Sequence, residues 1–238
     1  MEPIKGIPTE RLDEIKVEPP PLVKECPVGT EPIDLIPPDE FTVGNIPLIN
    51  AINQRESVRK YNNQPLSLEE ISFLLWITQG VKDISPRKVY TKRTVPSGKG
   101  RHPFETYLIV NRVEGLEPGI YHYRALNHKL CRFGKKDKDH EETLRKIAYG
   151  QDFLENAAAI FVWSVIPKRI EWCIDVWSHK TVAQDSGHMC QNLYLGCQAI
   201  HAGTCAMTVY HQNTIDKFLG LDGEEEFTIY LATVGKLD

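Results

Sequence analysis

No apolar run in this sequence approaches the length of a membrane span. The longest, near Ala157 to Val165, is far short of the roughly 20 residues a bilayer demands. The N-terminus places acids and prolines where a signal peptide needs an apolar stretch, so a cytoplasmic protein without membrane contact is expected. Excess positive charge is missing too. The 238 residues carry a net charge of −4 and a pI near 6.1, which gives no global attraction for nucleic acid. A local basic cluster (Arg87, Lys88, Lys92, Arg93, Lys99, Arg101) is either a solvated loop or part of a ligand site.

The signatures of several enzyme classes are absent. Gly98-Lys99-Gly100 has neither the earlier glycine at Walker spacing nor a Ser or Thr after the lysine, which disfavours a nucleotide triphosphatase. There is no G-x-G-x-x-G after a strand and no G-x-S-x-G elbow, which removes support for a Rossmann dehydrogenase or an α/β-hydrolase. The six cysteines, at 26, 131, 173, 190, 197 and 205, include no C-x-x-C pair. Neither a zinc ribbon nor a disulfide framework is indicated, and reduced, mostly buried thiols are expected. His179, His188, Cys173 and Cys190 match no ligand spacing, so no metal is expected.

What is present falls into two parts. Nine of the sixteen prolines lie in the first 45 residues, each removing a backbone donor and fixing φ. Residues 1–45 therefore read as an extended arm, which Leu22, Val23, Ile33, Leu35 and Ile36 can hold against a surface. Residues 46–238 read as one domain, and 41% hydrophobic residues supply its core.

Pro47 is placed to open a helix that delivers Arg55 at its end. Ser67-Leu-Glu-Glu70 is a capping box, Leu66 and Ile71 suit a hydrophobic staple, and Gly80 stops the helix. Phe104 to Val110 reads as a strand, Ile120–Tyr123 with Lys129–Phe133 as a hairpin, and Asp139–Gly150 as a helix. Ala158 to Ile166 is apolar nearly throughout and should be central in the sheet. Asp185 to Ala202 reads as a buried helix ended by Gly203, followed by a strand through Cys205 and Val209, a helix from Asn213 to Leu219 and a strand from Phe227 to Val234. Lys82–Thr94 and Pro167–Lys180 read as loops. The pattern is α+β.

Two segments carry chemistry. Arg55, Ser57 and Arg59 sit where a helix gives way to extended chain, so alternate side chains can face one anion, and guanidinium forks bind phosphate bidentately while staying charged. A solvated helix end is the alternative reading. Some forty residues on, Pro96-Ser97-Gly98 can turn the backbone tightly and leave amides exposed for a ring or a phosphate. Together they suit a phosphorylated planar ligand such as flavin mononucleotide (FMN).

From about residue 46 to 235 the chain resembles the nitroreductase family of FMN-dependent oxidoreductases, most closely its SagB-type, azoline dehydrogenase-like branch. The likeness rests on Arg55-Glu-Ser-Val-Arg59, Leu66–Trp76 leading to Gln79-Gly80, Pro96-Ser-Gly98 with His102-Pro103, Gly115–Tyr121, Gly150–Phe153, Asp185–Leu193 and Leu219–Asp222. It implies a mixed, mainly antiparallel sheet wrapped by helices, in an intertwined homodimer. Arg55, Ser57 and Arg59 would hold the flavin phosphate and ribityl chain. Pro96, Ser97 and Gly98 would belong to the turn lining the ring from the partner subunit, and the backbone of Met207, Thr208 and Val209 would approach it near N5.

The basic C-terminal segment of many nitroreductases is missing, and Lys236 or Arg101 is expected to substitute. The resemblance further implies ping-pong turnover, with NAD(P)H as donor and a small electron-poor acceptor such as a nitroarene, quinone or enone; no catalytic residue is assigned. Azoline dehydrogenases carry Lys-Tyr after a tryptophan that looks like Trp172, where this chain has Cys173-Ile174. The alternatives are an azoline-peptide dehydrogenase, a flavin binder without turnover and, more remotely, a metal-assisted hydrolase.

Overall fold

The architecture comes from a computed structural model that describes residue 15 and residues 17–135 and 139–238. The rest of the arm, residues 1–14 and 16, lies outside the described residues. A short strand, β1 (Ile33–Asp34), precedes helices α1 (Leu48–Gln54) and α2 (Leu68–Gln79). A small hairpin follows, β2 (Val81–Ile84) with β3 (Thr91–Arg93), then β4 (Phe104–Val110), β5 (Gly119–Arg124) and β6 (Lys129–Lys135). Next come α3 (His140–Ile147), α4 (Phe153–Asn156), β7 (Ala159–Val165), α5 (Lys168–Ile174) and α6 (Ser178–Ala199). The chain closes with β8 (Ala202–Met207), α7 (Gln212–Phe218) and β9 (Phe227–Lys236).

Seven strands form one sheet in the order β1-β6-β5-β4-β7-β9-β8, with every ladder antiparallel. The parallel pairings are isolated bridges, among them Ser57 to Thr204. Both faces of the sheet are covered, which is why β4 and β7 are buried at every position. Phe161, Trp163 and Val165 enter the core that α2 and α6 cover; Ile160 and Val162 enter the core shared with α3 and α7. The fold is thus α+β with a mainly antiparallel sheet wrapped by helices, as expected. No helix among the described residues is long and apolar enough to cross a membrane.

Local signals set several boundaries. The Ser67 hydroxyl accepts the Glu70 N–H at 3.1 Å while the Glu70 carboxylate accepts the Ser67 N–H at 2.9 Å, starting α2 where its capping box lies. Gly80 is its C-cap. Pro47 precedes α1 by one position, and Arg55 caps it.

Other boundaries required tertiary contacts. The helix expected at Asp185 begins at Ser178; its first turns are polar, exposed on much of their surface and carry little apolar periodicity, so they leave no signal in the sequence. It ends at Ala199, and Gly203 lies in β8 rather than stopping the helix. The strand expected to reach Val209 stops at Met207. Parts of the two segments read as loops are ordered, as the β2–β3 hairpin and as α5.

The described part of the arm is tied down along its length. Leu22, Val23 and Leu35 are buried, and Ile33 pairs with Leu130 of β6. Lys24 reaches inward, its N–H to Glu105 Oε1 at 2.8 Å and its ammonium to Glu226 Oε2 at 2.6 Å. Alongside it Cys26 meets Cys131 of β6 in a disulfide, Cα to Cα 5.7 Å. This corrects the expectation of six reduced thiols. The pair is 105 residues apart in sequence, and only the docking of the arm on β6 brings it together. Cys173, Cys190, Cys197 and Cys205 are free and buried.

Candidate functional site

Beyond Arg55 the chain leaves the helix and runs beside β8, where the Val58 N–H donates to the Thr204 carbonyl at 2.9 Å. A Cβ on Gly203 would lie 2.9 Å from Val58 Cβ, so glycine there lets the segment lie close to the strand. Val58 packs inward and Ser57 and Arg59 are exposed, as extended alternation requires. Among the described residues neither Arg55 nor Arg59 has a carboxylate partner within ion-pair distance. Arg55 instead lies over the ring of Tyr194, 5.4 Å from its centroid. Burial raises the Cys205 thiol, and the Arg59 cation opposes that shift. A cleft of about 790 Å³ opens beside Arg59, lined by Lys60, Arg145 and Gly150–Phe153. Arg145 is occupied there by a bidentate pair with Glu155, at 2.6 and 2.7 Å.

Tyr194 joins this segment to the next one. Its hydroxyl lies 2.8 Å from Ser57 Oγ and accepts the Ala206 N–H at 3.0 Å. The end of β8 is thereby held beside Arg55 and Ser57. Met207 is buried in the sheet, while Thr208 and Val209 are exposed just past it.

Pro96-Ser97-Gly98 is organised around Asp185, farther back on α6. Gly98 donates its N–H to Asp185 Oδ2 at 3.1 Å, and Ser97 Oγ accepts the His102 N–H at 3.0 Å. Burial raises the Asp185 carboxyl, against hydrogen bonds from Ser97 and Gly98 that lower it. A Cβ at position 98 would lie 2.5 Å from Thr181 Cγ2 and 2.9 Å from Ile174 Cδ1, so only glycine lets this turn rest on α6. Lys99, Gly100 and His102 follow with φ of 54°, 67° and 45°. Pro96 is exposed.

Arg101 and Lys236, the two residues expected to supply positive charge to the phosphate, are engaged elsewhere. Arg101 is fully buried; its guanidinium donates to the carbonyls of Arg169 and Pro20, each at 2.9 Å, and of Val89. It stacks 4.9 Å from the Trp172 ring. Arg101 therefore clamps the turn that carries Ser97 rather than offering its charge to a ligand. Lys236 is paired with Glu70 and donates to the Ile200 carbonyl at 3.0 Å.

The sequence reading missed α6 as the organising element. Asp185 and Tyr194 are polar residues on its buried face, and that mismatch was the available signal. They are nine residues apart, about 13 Å along the helix at roughly 1.5 Å per residue. The structure thus brings Arg55, Ser57 and the end of β8 together around Tyr194, leaves Arg59 beside Cys205 at the edge of the cleft, and gathers Ser97 and Gly98 separately around Asp185.

A Methanocaldococcus jannaschii protein bearing a nitroreductase name is 29% identical over 194 residues, covering 82% of this chain and 93% of the relative. A Ralstonia eutropha structure, likewise named a nitroreductase, superimposes with a TM-score of 0.66 at 23% identity, covering 90% and 98% of the two chains. The Escherichia coli microcin synthetase complex, solved with truncated pro-MccB17 bound, matches at TM-score 0.65 and 20% identity, covering 86% of this chain and 77% of the other. A Desulfovibrio desulfuricans protein named a nitroreductase and solved with FMN gives TM-score 0.54 at 17% identity, covering 80% and 86%. The family model for the nitroreductases matches residues 52–236, most of the chain and all of the site described above, and the chain belongs to the nitroreductase family.

Proposed function

We propose that this protein is an FMN-dependent oxidoreductase that takes electrons from NAD(P)H and passes them to a small electron-poor acceptor such as a nitroarene, quinone or enone. The observation that carries the reading is the cradle of Arg55, Ser57 and Arg59. Two guanidinium groups, without carboxylate partners among the described residues, flank an exposed hydroxyl in extended chain, Arg59 borders the open cleft, and that donor set fits a phosphate monoester. The FMN ring, when bound, supplies the electron transfer itself. Arg55 and Arg59 bind the phosphate as charged forks, Ser57 adds a hydroxyl donor, and Gly98 lets the second turn rest against α6. Neither Arg101 nor Lys236 takes part.

The protein is expected to bind FMN. Arg55→Ala or Arg59→Ala should each remove a charge-assisted contact worth about 1.5–3 kcal/mol, roughly ten- to a hundredfold in affinity by fluorescence titration. Full retention of affinity in both variants would remove the assignment. A second reading, an azoline-peptide dehydrogenase, is favoured by the likeness to the microcin synthetase complex. Against it, Cys173 is buried with its thiol donating to the Ile170 carbonyl, and Ile174 packs at Gly98, so neither position supplies an acid–base group. Removal of two hydrogens from an azoline peptide by the FMN-loaded protein would establish that second reading.

The proposed assembly is a homodimer with flavin sites shared between subunits. Its support is the distance between the Tyr194 and Asp185 groupings within one chain, together with the exposed Leu48, Ile49 and Ile52 of α1, which offer apolar surface for a partner. Flavin occupancy and dimerisation should then rise together with protein concentration. Light scattering that finds a fully loaded monomer would contradict this.

A further inference from the structure

We propose that Tyr194 is a positioning residue of the phosphate cradle, setting the hydroxyl of Ser57 and the guanidinium of Arg55 toward the anion. The inference rests on the FMN reading above and extends it to a residue on α6 that does not itself belong to the R-x-S-x-R segment.

The direction of the hydrogen bonds carries the argument. Tyr194 has one O–H to donate. Its oxygen already accepts the Ala206 N–H at 3.0 Å, which leaves its proton for Ser57 Oγ, 2.8 Å away. Ser57 then accepts from Tyr194, and its own proton is directed outward, between two cations. The relay runs from a fixed backbone amide of β8 through Tyr194 to Ser57, each donor polarising the next. The anion is its terminal acceptor.

The ring does separate work. Arg55 lies 5.4 Å from the ring centroid and is thereby held over Tyr194 without a carboxylate to neutralise it. Tyr194 is nine-tenths buried, so both its edge and its face are fixed by the packing of α6. The segment it orders has no regular structure of its own between Arg55 and Arg59.

The test compares FMN with riboflavin, which lacks the phosphate. Tyr194→Phe keeps the ring under Arg55 and removes only the hydroxyl. FMN affinity should fall about three- to tenfold, the loss of one hydrogen bond to a hydroxyl, while riboflavin affinity changes by less than about twofold. Because Tyr194 acts through Ser57, the double variant Tyr194→Phe with Ser57→Ala should bind FMN no more weakly than Ser57→Ala alone. Equal losses for the two flavins, or additive losses in the double variant, would overturn the role given to Tyr194. Should the unmodified protein itself hold FMN no more tightly than riboflavin, the phosphate reading of Arg55, Ser57 and Arg59 fails first, and the role of Tyr194 with it.

Discussion

Replacing Arg169 with leucine is expected to destabilise the fold by about 3–5 kcal/mol, the range for removing one partner of a buried ion pair. For a chain of this size that is a drop in melting temperature of roughly 6–20 °C. Arg169 and Glu105 are each 2% exposed, and the Arg169 guanidinium meets Glu105 Oε1 at 2.5 Å. The other carboxylate oxygen lies 2.6 Å from His122 Nε2, and the Lys24 N–H completes the shell. Burial by itself would raise the Glu105 carboxyl, but Arg169 and His122 overturn that and hold it at about 2.

The sign of the pH dependence follows from that shift. A carboxyl depressed from 4.5 to about 2 contributes stability that is present above pH 4.5 and lost as pH falls toward 2. In Arg169→Leu the largest lowering influence is gone, burial prevails and the Glu105 carboxyl moves up. The variant's deficit should therefore be largest near neutrality and shrink in acid, where the carboxyl is protonated in both proteins. Urea melts at several pH values check this. A deficit that stays constant across the acid range would show that Arg169 contributes by packing and not by charge.

Cys131→Ser is expected to cost about 2–5 kcal/mol in protein purified without reductant, because the Cys26–Cys131 bond closes a loop of 105 residues. The same melt with reductant present should erase the difference between variant and wild type. Thiol titration of the denatured, unreduced protein should find four reactive cysteines, the buried set at 173, 190, 197 and 205. Six thiols in protein kept under air would show that the pair is not bonded in solution. Reduction should loosen the arm near Cys26 first. Proteolysis there, together with exchange of the backbone amide of Lys24, would report it.

What the sequence determined by itself was local. The capping box at Ser67, the apolar run of β7, the turn of the β5–β6 hairpin, and Arg55 at a helix end all follow from contacts within a few residues. Those contacts leave a periodic or positional trace in the text. The spacing of Arg55, Ser57 and Arg59 was legible for the same reason, since alternation in extended chain needs no knowledge of the rest of the fold.

The tertiary structure alone decided where the remaining charges and thiols ended up. Arg101 and Arg55 look equivalent in sequence, yet one is buried against three carbonyls and the other stays over Tyr194 at the surface. Lys236 stands near the expected basic position but is neutralised by Glu70, which is 166 residues away. Cys26 and Cys131, without a local motif, are joined because the arm crosses β6. Tyr194 reads as one more core residue of a buried helix until β8 and the 55–59 segment arrive beside it. In each case the deciding contact closes a long loop, and its free energy comes from burial and pairing between segments whose separate sequences carry no record of each other.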